Sequence, residues 1–230
     1  MARRKENFVF LDYLADEEYA HDGNGDTHRL PSLNELSGEV GVSISSLREQ
    51  LEVARALGFV EVRPRTGIRR LPYTFTPAVY ESLSYAIARD ETRFDAYADL
   101  RRHVEAAYWH EAVNLLTAAD LQHLEDLLLQ AERKLKGRPI QLPHPEHREL
   151  HLTIFTHLNN PFVLGILEAY WDAYEDVGLA RYEGLAYLEN VWRFHHKIVS
   201  CILQDDIDGS HALLVEHFHL IDERNTAATG

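Results

Sequence analysis

From Thr74 to the C-terminus, apolar residues return every three or four positions, the period of an α-helix rather than of a strand. Caps and breaks at Thr117–Asp120, Asn160-Pro161 and Asp205-Asp206 cut the stretch into helices predicted over 77–90, 93–116, 118–136, 145–158, 161–178, 183–204 and 206–223. Seven helices joined by short breaks imply an antiparallel all-α bundle.

The residues before Thr74 follow another pattern. An amphipathic helix is predicted at about 5–20, then a Gly-, Asp- and Asn-rich loop closing at Pro31. Ser32 and Ser43 open two short helices, broken at Gly41 and Gly58. FVEVRP and GIRRLPY then alternate around Pro64-Arg65-Thr66-Gly67, which reads as a tight hairpin. Two short helices with a Gly-containing turn, followed by a hairpin, form a winged helix-turn-helix pattern. Pro72 and Pro77 mark a linker. The chain is thus expected to be mainly α, with a winged helix-turn-helix DNA-binding domain over 1–73 and an all-helical domain over 74–230.

Composition narrows the function. A single cysteine, Cys201, excludes an internal disulfide framework and any multi-cysteine zinc or iron–sulfur site, and fits a reducing cytoplasm. No apolar run approaches the ~18 residues of a membrane span, so no membrane partner is expected. The net charge of −14 argues against nonspecific coating of nucleic acid. It is unevenly spread: His28–Tyr73 carries seven bases against five acids, and the stretch after it 13 against 25. A local basic face on an acidic body remains compatible with DNA.

In a helix-turn-helix the second helix enters the major groove with its N-terminal residues leading. Here it begins Ser43-Ile44-Ser45-Ser46-Leu47-Arg48. Ser43, Ser45 and Ser46 are positioned to donate hydroxyls to phosphate, and Arg48, one turn in, to reach guanine or phosphate. Arg63 and Arg65 flank the wing tip, where Gly67 permits a tight turn. The stretch LPSLNELSGEVGVSISSLREQLEVARALGFVEVRPRTG resembles the winged-helix domain of GntR-type bacterial transcription regulators. That resemblance adds Ser32 to the DNA-contacting set, and it puts Asn34 and Ile44 where the family usually has arginines. Two lost cationic contacts imply weaker phosphate attraction and an atypical operator.

Twelve of the 14 histidines lie beyond Tyr73. His147 and His151 are spaced i, i+4, so their rings share one helix face and can grip one metal ion. His196 and His217 lie on the last two predicted helices, which a bundle can bring alongside. LRRHVEAAYWHEAV, EHRELHLTIFTHLNNPF and FHHKIVSCILQDDIDGSHALLVEHFHLI together resemble the all-α FCD effector domain of the FadR branch of that family. The resemblance implies a metal held by an aspartate and three histidines. Here the aspartate falls on His147, the first histidine on His151 and the later pair on His196 and His217, with His195 and His219 as register alternatives. An all-imidazole set favours a divalent transition metal, zinc or nickel (copper is the third candidate), over manganese or calcium. The family's arginine–glutamate pair falls on Arg101 and Glu105, implying that Arg101 clamps a small carboxylate effector.

The sequence therefore predicts a ligand-responsive regulator that binds a palindromic operator as a homodimer. Two other readings stay open. One is a metal-dependent enzyme using the histidine cluster, against which stands the lack of a nucleophile motif or a general base beside the ligands. The other is a sensor bundle with degenerate DNA binding, prompted by Asn34 and Ile44.

Overall fold

The computed structural model describes residues 9–16, 29–64, 67–178 and 184–227, with side chains described as far as Phe218. The chain divides into two compact units, Met1–Glu81 and Ser82–Gly230.

The first unit is a winged helix. Helix α1 (Val9–Ala15) packs on α3 (Ile44–Ala56), with α2 (Leu33–Val40) beside it. The rest of the helix predicted over 5–20 lies outside the described residues. Ser32 caps α2 in a complete capping box with Glu35, and Gly41 ends the helix in the left-handed region at φ 71°. Strands β1 (Val60–Arg63) and β2 (Gly67–Arg70) pair antiparallel, Val60 opposite Arg70 and Arg63 opposite Gly67. Arg29 bridges to Arg69 on the far side of β2, and Leu30 N–H donates to the Ile68 carbonyl. Phe10, Leu36, Leu47, Ala54, Val60 and Ile68 fill one core. Within it Gln50, itself buried, accepts from the Phe10 N–H at 2.8 Å and ties α1 to α3.

Among its described residues, the second unit's regular elements are all helices. Helix α4 (Thr76–Arg89) spans the division between units, followed by α5 (Thr92–Asn114), α6 (Ala118–Lys136), α7 (His144–Phe155), α8 (Pro161–Ala173), α9 (Leu185–Leu203) and α10 (Ile207–Ala227). Each predicted cap acts locally: Thr117 and Asp120 form a capping box for α6, Asn160 accepts from Phe162 and Val163 N–H, and Asp206 accepts from Gly209 N–H. The stretch predicted as helix over 161–178 changes winding at Tyr174, where a π-helical turn runs to Gly178. That turn carries the Tyr174 ring to 5.4 Å from Trp171 and 6.4 Å from His147. The core is built from Trp109, Leu124, Leu150, Phe155, Leu167, Ile198 and Leu214. Polar ties fix the helix register inside it: Trp109 Nε1–H donates to Ser210 Oγ at 2.8 Å, and Lys134 grips the buried Glu146 at 2.6 Å. Among the described residues, no helix is long and apolar enough to cross a membrane.

Gly58, which stops α3, has φ 73°, and a Cβ there would sit 2.6 Å from Pro77 Cγ. Gly41 has φ 71° but nothing within 4 Å. Thermal denaturation should therefore show Gly41→Ala costing about 1 kcal/mol, from backbone strain alone, and Gly58→Ala at least twice that.

Candidate functional site

The site begins with the buried stripe of each helix. On α5 that stripe runs Phe94, Ala98, Arg101, Glu105, Trp109 and Ala112, so an arginine and a glutamate occupy positions that spacing assigns to the interior. On α7 it includes His151, with His147 one turn earlier on the same face. On α9 it runs Leu188, Val191, Trp192, His195, Ile198, Val199 and Ile202; on α10, Ser210, Leu214, His217 and Phe218. Packing these faces together brings His147, His151, His195 and His217 into one cluster, with one ring nitrogen from each lying within 4.8 Å of all the others.

His196, expected in this set, does not join it. It lies exposed, because one residue of helix rotates a side chain by about 100° and the apolar stripe of α9 passes through His195. That stripe was readable in the sequence, and would have selected His195 over His196. The other register alternative, His219, has its side chain outside the described residues. His103, His110 and His123 are exposed and face Asp99, Asp208 and Glu149.

His151 Nε2 and His195 Nε2 are 3.2 Å apart. Four nitrogens at 2.0–2.1 Å from one tetrahedral ion lie about 3.3 Å from each other, so this pair already has ligand spacing. His147 Nε2, His195 Nδ1 and His217 Nδ1 are buried with no hydrogen-bond partner. Buried imidazole nitrogens without partners carry a desolvation cost that a bound cation would remove, and the residues present fit a metal ion. Burial drives all four imidazoles toward the neutral form: His147, His151 and His195 are held well below their ordinary range, and His217 is pushed down to about 3. Arg101 and neighbouring imidazoles add to the effect. A neutral imidazole is the form that ligates.

Beneath the cluster lies a buried ion pair. Arg101 Nη2 is 2.9 Å from Glu105 Oε2 and 2.9 Å from His151 Nδ1, while Glu105 Oε1 is 3.3 Å from the same Nδ1. Burial raises the Glu105 carboxyl above its usual range, against the pull of Arg101 and His217. The guanidinium is also flanked by rings, 4.7 Å from Tyr170, 5.3 Å from Trp171 and 5.6 Å from Phe218. Trp171, which aromatic content alone assigns to the core, has its Nε1 buried and unpartnered, with its ring 4.8 Å from His147. A cavity of about 10 Å³ adjoins, lined by Arg101, His147, His217 and the rings of Tyr170, Tyr174 and Tyr187.

In the winged helix, Ser32, Ser43, Ser45, Arg48, Arg63 and Gly67 are all exposed. Three of the serines also serve the fold: Ser32 caps α2, Ser43 Oγ caps α3 by accepting from Ser46 N–H, and Ser46 Oγ accepts from Gln50 Nε2. Arg63 pairs with Glu61 at 2.8 Å. Arg65 lies outside the described residues.

The pH dependence follows from the buried imidazoles. Folded, they stay neutral; unfolded, they take up protons near pH 6.5, so unfolding binds protons below that pH. Stability is fully present above about pH 6.5 and falls as pH drops toward the value of about 3 held by His217. Thermal melts of the metal-stripped chain should show lower stability at pH 5 than at pH 8. His217→Gln should remove about 2 kcal/mol of that difference, one imidazole's share over ~1.5 pH units.

Residues 96–220 match the family model described as the FCD domain. No curated protein matches the sequence. Among solved structures, the Streptococcus agalactiae GntR protein is 18% identical with a TM-score of 0.62, the match covering 96% of this chain and 97% of that one. The E. coli protein McbR/YncC is 20% identical with a TM-score of 0.51, covering 86% and 87%. At such identities the likeness establishes a shared fold, a winged helix followed by a helical domain, as in FadR-like members. The domain that carries the histidine cluster is itself the matched region, and the chain belongs to the FCD-domain family.

Proposed function

We propose that this chain is a ligand-responsive transcriptional regulator that binds a palindromic operator as a homodimer, through Ser32, Ser43, Ser45, Ser46, Arg48, Arg63, Arg65 and Gly67. Its helical domain holds a divalent transition metal, zinc or nickel, on His147, His151, His195 and His217. The observation that carries the reading is the set of four converging imidazoles with three orphaned ring nitrogens, inside a domain of the FCD family. The fold shared with GntR-type regulators supports the operator and the dimer.

A bound ion on the four imidazoles would supply positive charge, and a Lewis-acid position on taking a fifth ligand. Arg101 supplies the second cationic group beside it, and the pair suits a small carboxylate effector. Glu105 already sits on that guanidinium, so an incoming acid competes with an internal carboxylate. The adjoining cavity of about 10 Å³ has room for roughly one water, so entry also requires Tyr170, Tyr174 and Tyr187 to part. Such movement gives the effector different affinities for two arrangements of the domain, which is the thermodynamic requirement for control of DNA binding.

Two measurements test this. Elemental analysis of purified protein should find about one zinc or nickel per chain, lost in His195→Ala and retained in His196→Ala; the opposite pattern would remove His195 from the site. Gel-shift titrations on upstream DNA across salt concentrations should give Arg48→Ala weaker binding and a log–log salt slope smaller by about one per half-site. An unchanged slope would place Arg48 off the phosphates, and no shift with any duplex would favour a sensor bundle without DNA binding.

A further inference from the structure

One side chain in the winged helix breaks the rule that organises its strand. Along β2, residues two apart share a face, so Arg70 points to the same side as the buried Ile68. Across the ladder it is opposite Val60, which is 1% exposed. An arginine therefore occupies a position that the pleat reserves for an apolar side chain. Its Nε and Nη2 are both shielded from solvent and have no hydrogen-bond partner.

Those two nitrogens form one edge of the guanidinium, the edge whose parallel N–H bonds match the two oxygens of a carboxylate. In the same unit, exposed Arg55 uses this edge on Glu52, at 3.0 and 2.6 Å. At Arg70 the edge has no acceptor, and a buried donor without one costs about 1–3 kcal/mol. Arg70 lines a cavity of about 400 Å³ whose other walls are Leu11, Leu14 and Ala15 from α1, with Phe59, Leu71 and Tyr73. The Phe59 and Tyr73 rings lie 6.1 Å apart along one side. Among the described residues no carboxylate lines this space, and its size falls within the usual range for small-molecule sites.

We propose that this cavity is a second ligand site, in the DNA-binding unit, for a small monocarboxylic acid with an aliphatic or aromatic body. The acid's two oxygens accept from Arg70 Nε and Nη2, and its apolar body lies against Leu11, Leu14, Phe59 and Leu71. The recognition differs from that at Arg101, where a metal centre adjoins and Glu105 already holds the guanidinium. Because Arg70 closes the β1–β2 ladder, a ligand there bears directly on the wing.

The test uses the full-length chain with octanoate and phenylacetate as acid probes and octanol as the uncharged control, read by calorimetry and thermal shift. Both acids should bind and raise the melting temperature, and octanol should bind at least tenfold more weakly. Arg70→Met should lower the number of acid molecules bound per chain by one while leaving the ligand-free melting temperature unchanged or higher, because the variant buries no unpaired donor. Leu71→Trp, which fills the cavity with Arg70 in place, should weaken binding at least tenfold. An unchanged acid stoichiometry in Arg70→Met would assign all of the binding to another site and overturn the proposal. So does a lower ligand-free melting temperature in Arg70→Met, which would mean that Arg70 already holds an acceptor of this chain. A change of oligomeric state in Arg70→Met also overturns it, because the acceptor would then come from a second copy.

Discussion

Desolvation of a polar knot inside an apolar bundle is the constraint on which the helical domain turns. Arg101, Glu105, His151, His195 and His217 are all nearly or fully buried, and all lie on helix faces that otherwise carry Leu, Ile, Val, Phe and Trp. Removing ionisable groups from water is costly unless each finds a partner. Here Arg101 neutralises Glu105 and contacts His151, while the imidazoles avoid the charge cost by staying neutral. What is left unresolved is a set of lone pairs and N–H groups at one point. The same desolvation that makes the cluster costly suits it to a cation, because neutral imidazole needs no proton removed before it binds one.

The four helices that contribute to the knot also bear the packing contacts of the domain, so binding there bears on the architecture as a whole. His147 and His151 are carried by α7, which Lys134 of α6 holds through the buried Glu146. His217 is on α10, fixed against α5 by the Trp109–Ser210 hydrogen bond. An ion held by α7, α9 and α10 would cross-link helices distant in sequence, and an acid at Arg101 would pull on α5. The winged helix poses the same electrostatic question in reverse. Its Arg70 edge is shielded from water but not neutralised, and an unneutralised cation is a request for an anion.

Much of this was legible in the chain. The 3–4 spacing and the Thr117, Asn160 and Asp206 caps located the helices, and Ser32, Gly41, Gly58 and Gly67 located the winged helix, because caps and turns are local interactions. The i, i+4 pair on α7 was legible for the same reason. His196 was the expected third ligand because it was matched through an interval along the chain. The residue that joins the cluster is instead His195, since membership of the buried face depends on rotation about the helix axis. The π-helical turn at Tyr174 left no sequence signal, being a change in winding that the surrounding rings accommodate.

The sequence by itself determined the local elements, the division of charge between the two halves, and a supply of imidazoles spaced to share helix faces. All of these depend on residues within a few positions of one another. Only the tertiary structure decided which four rings meet, that Glu105 rather than solvent answers Arg101, and that Arg70 faces an apolar cavity with two donors unmet. Those facts depend on how faces from distant segments are brought together and on how much water that packing excludes, and no short-range pattern encodes the dielectric in which a side chain will finally sit.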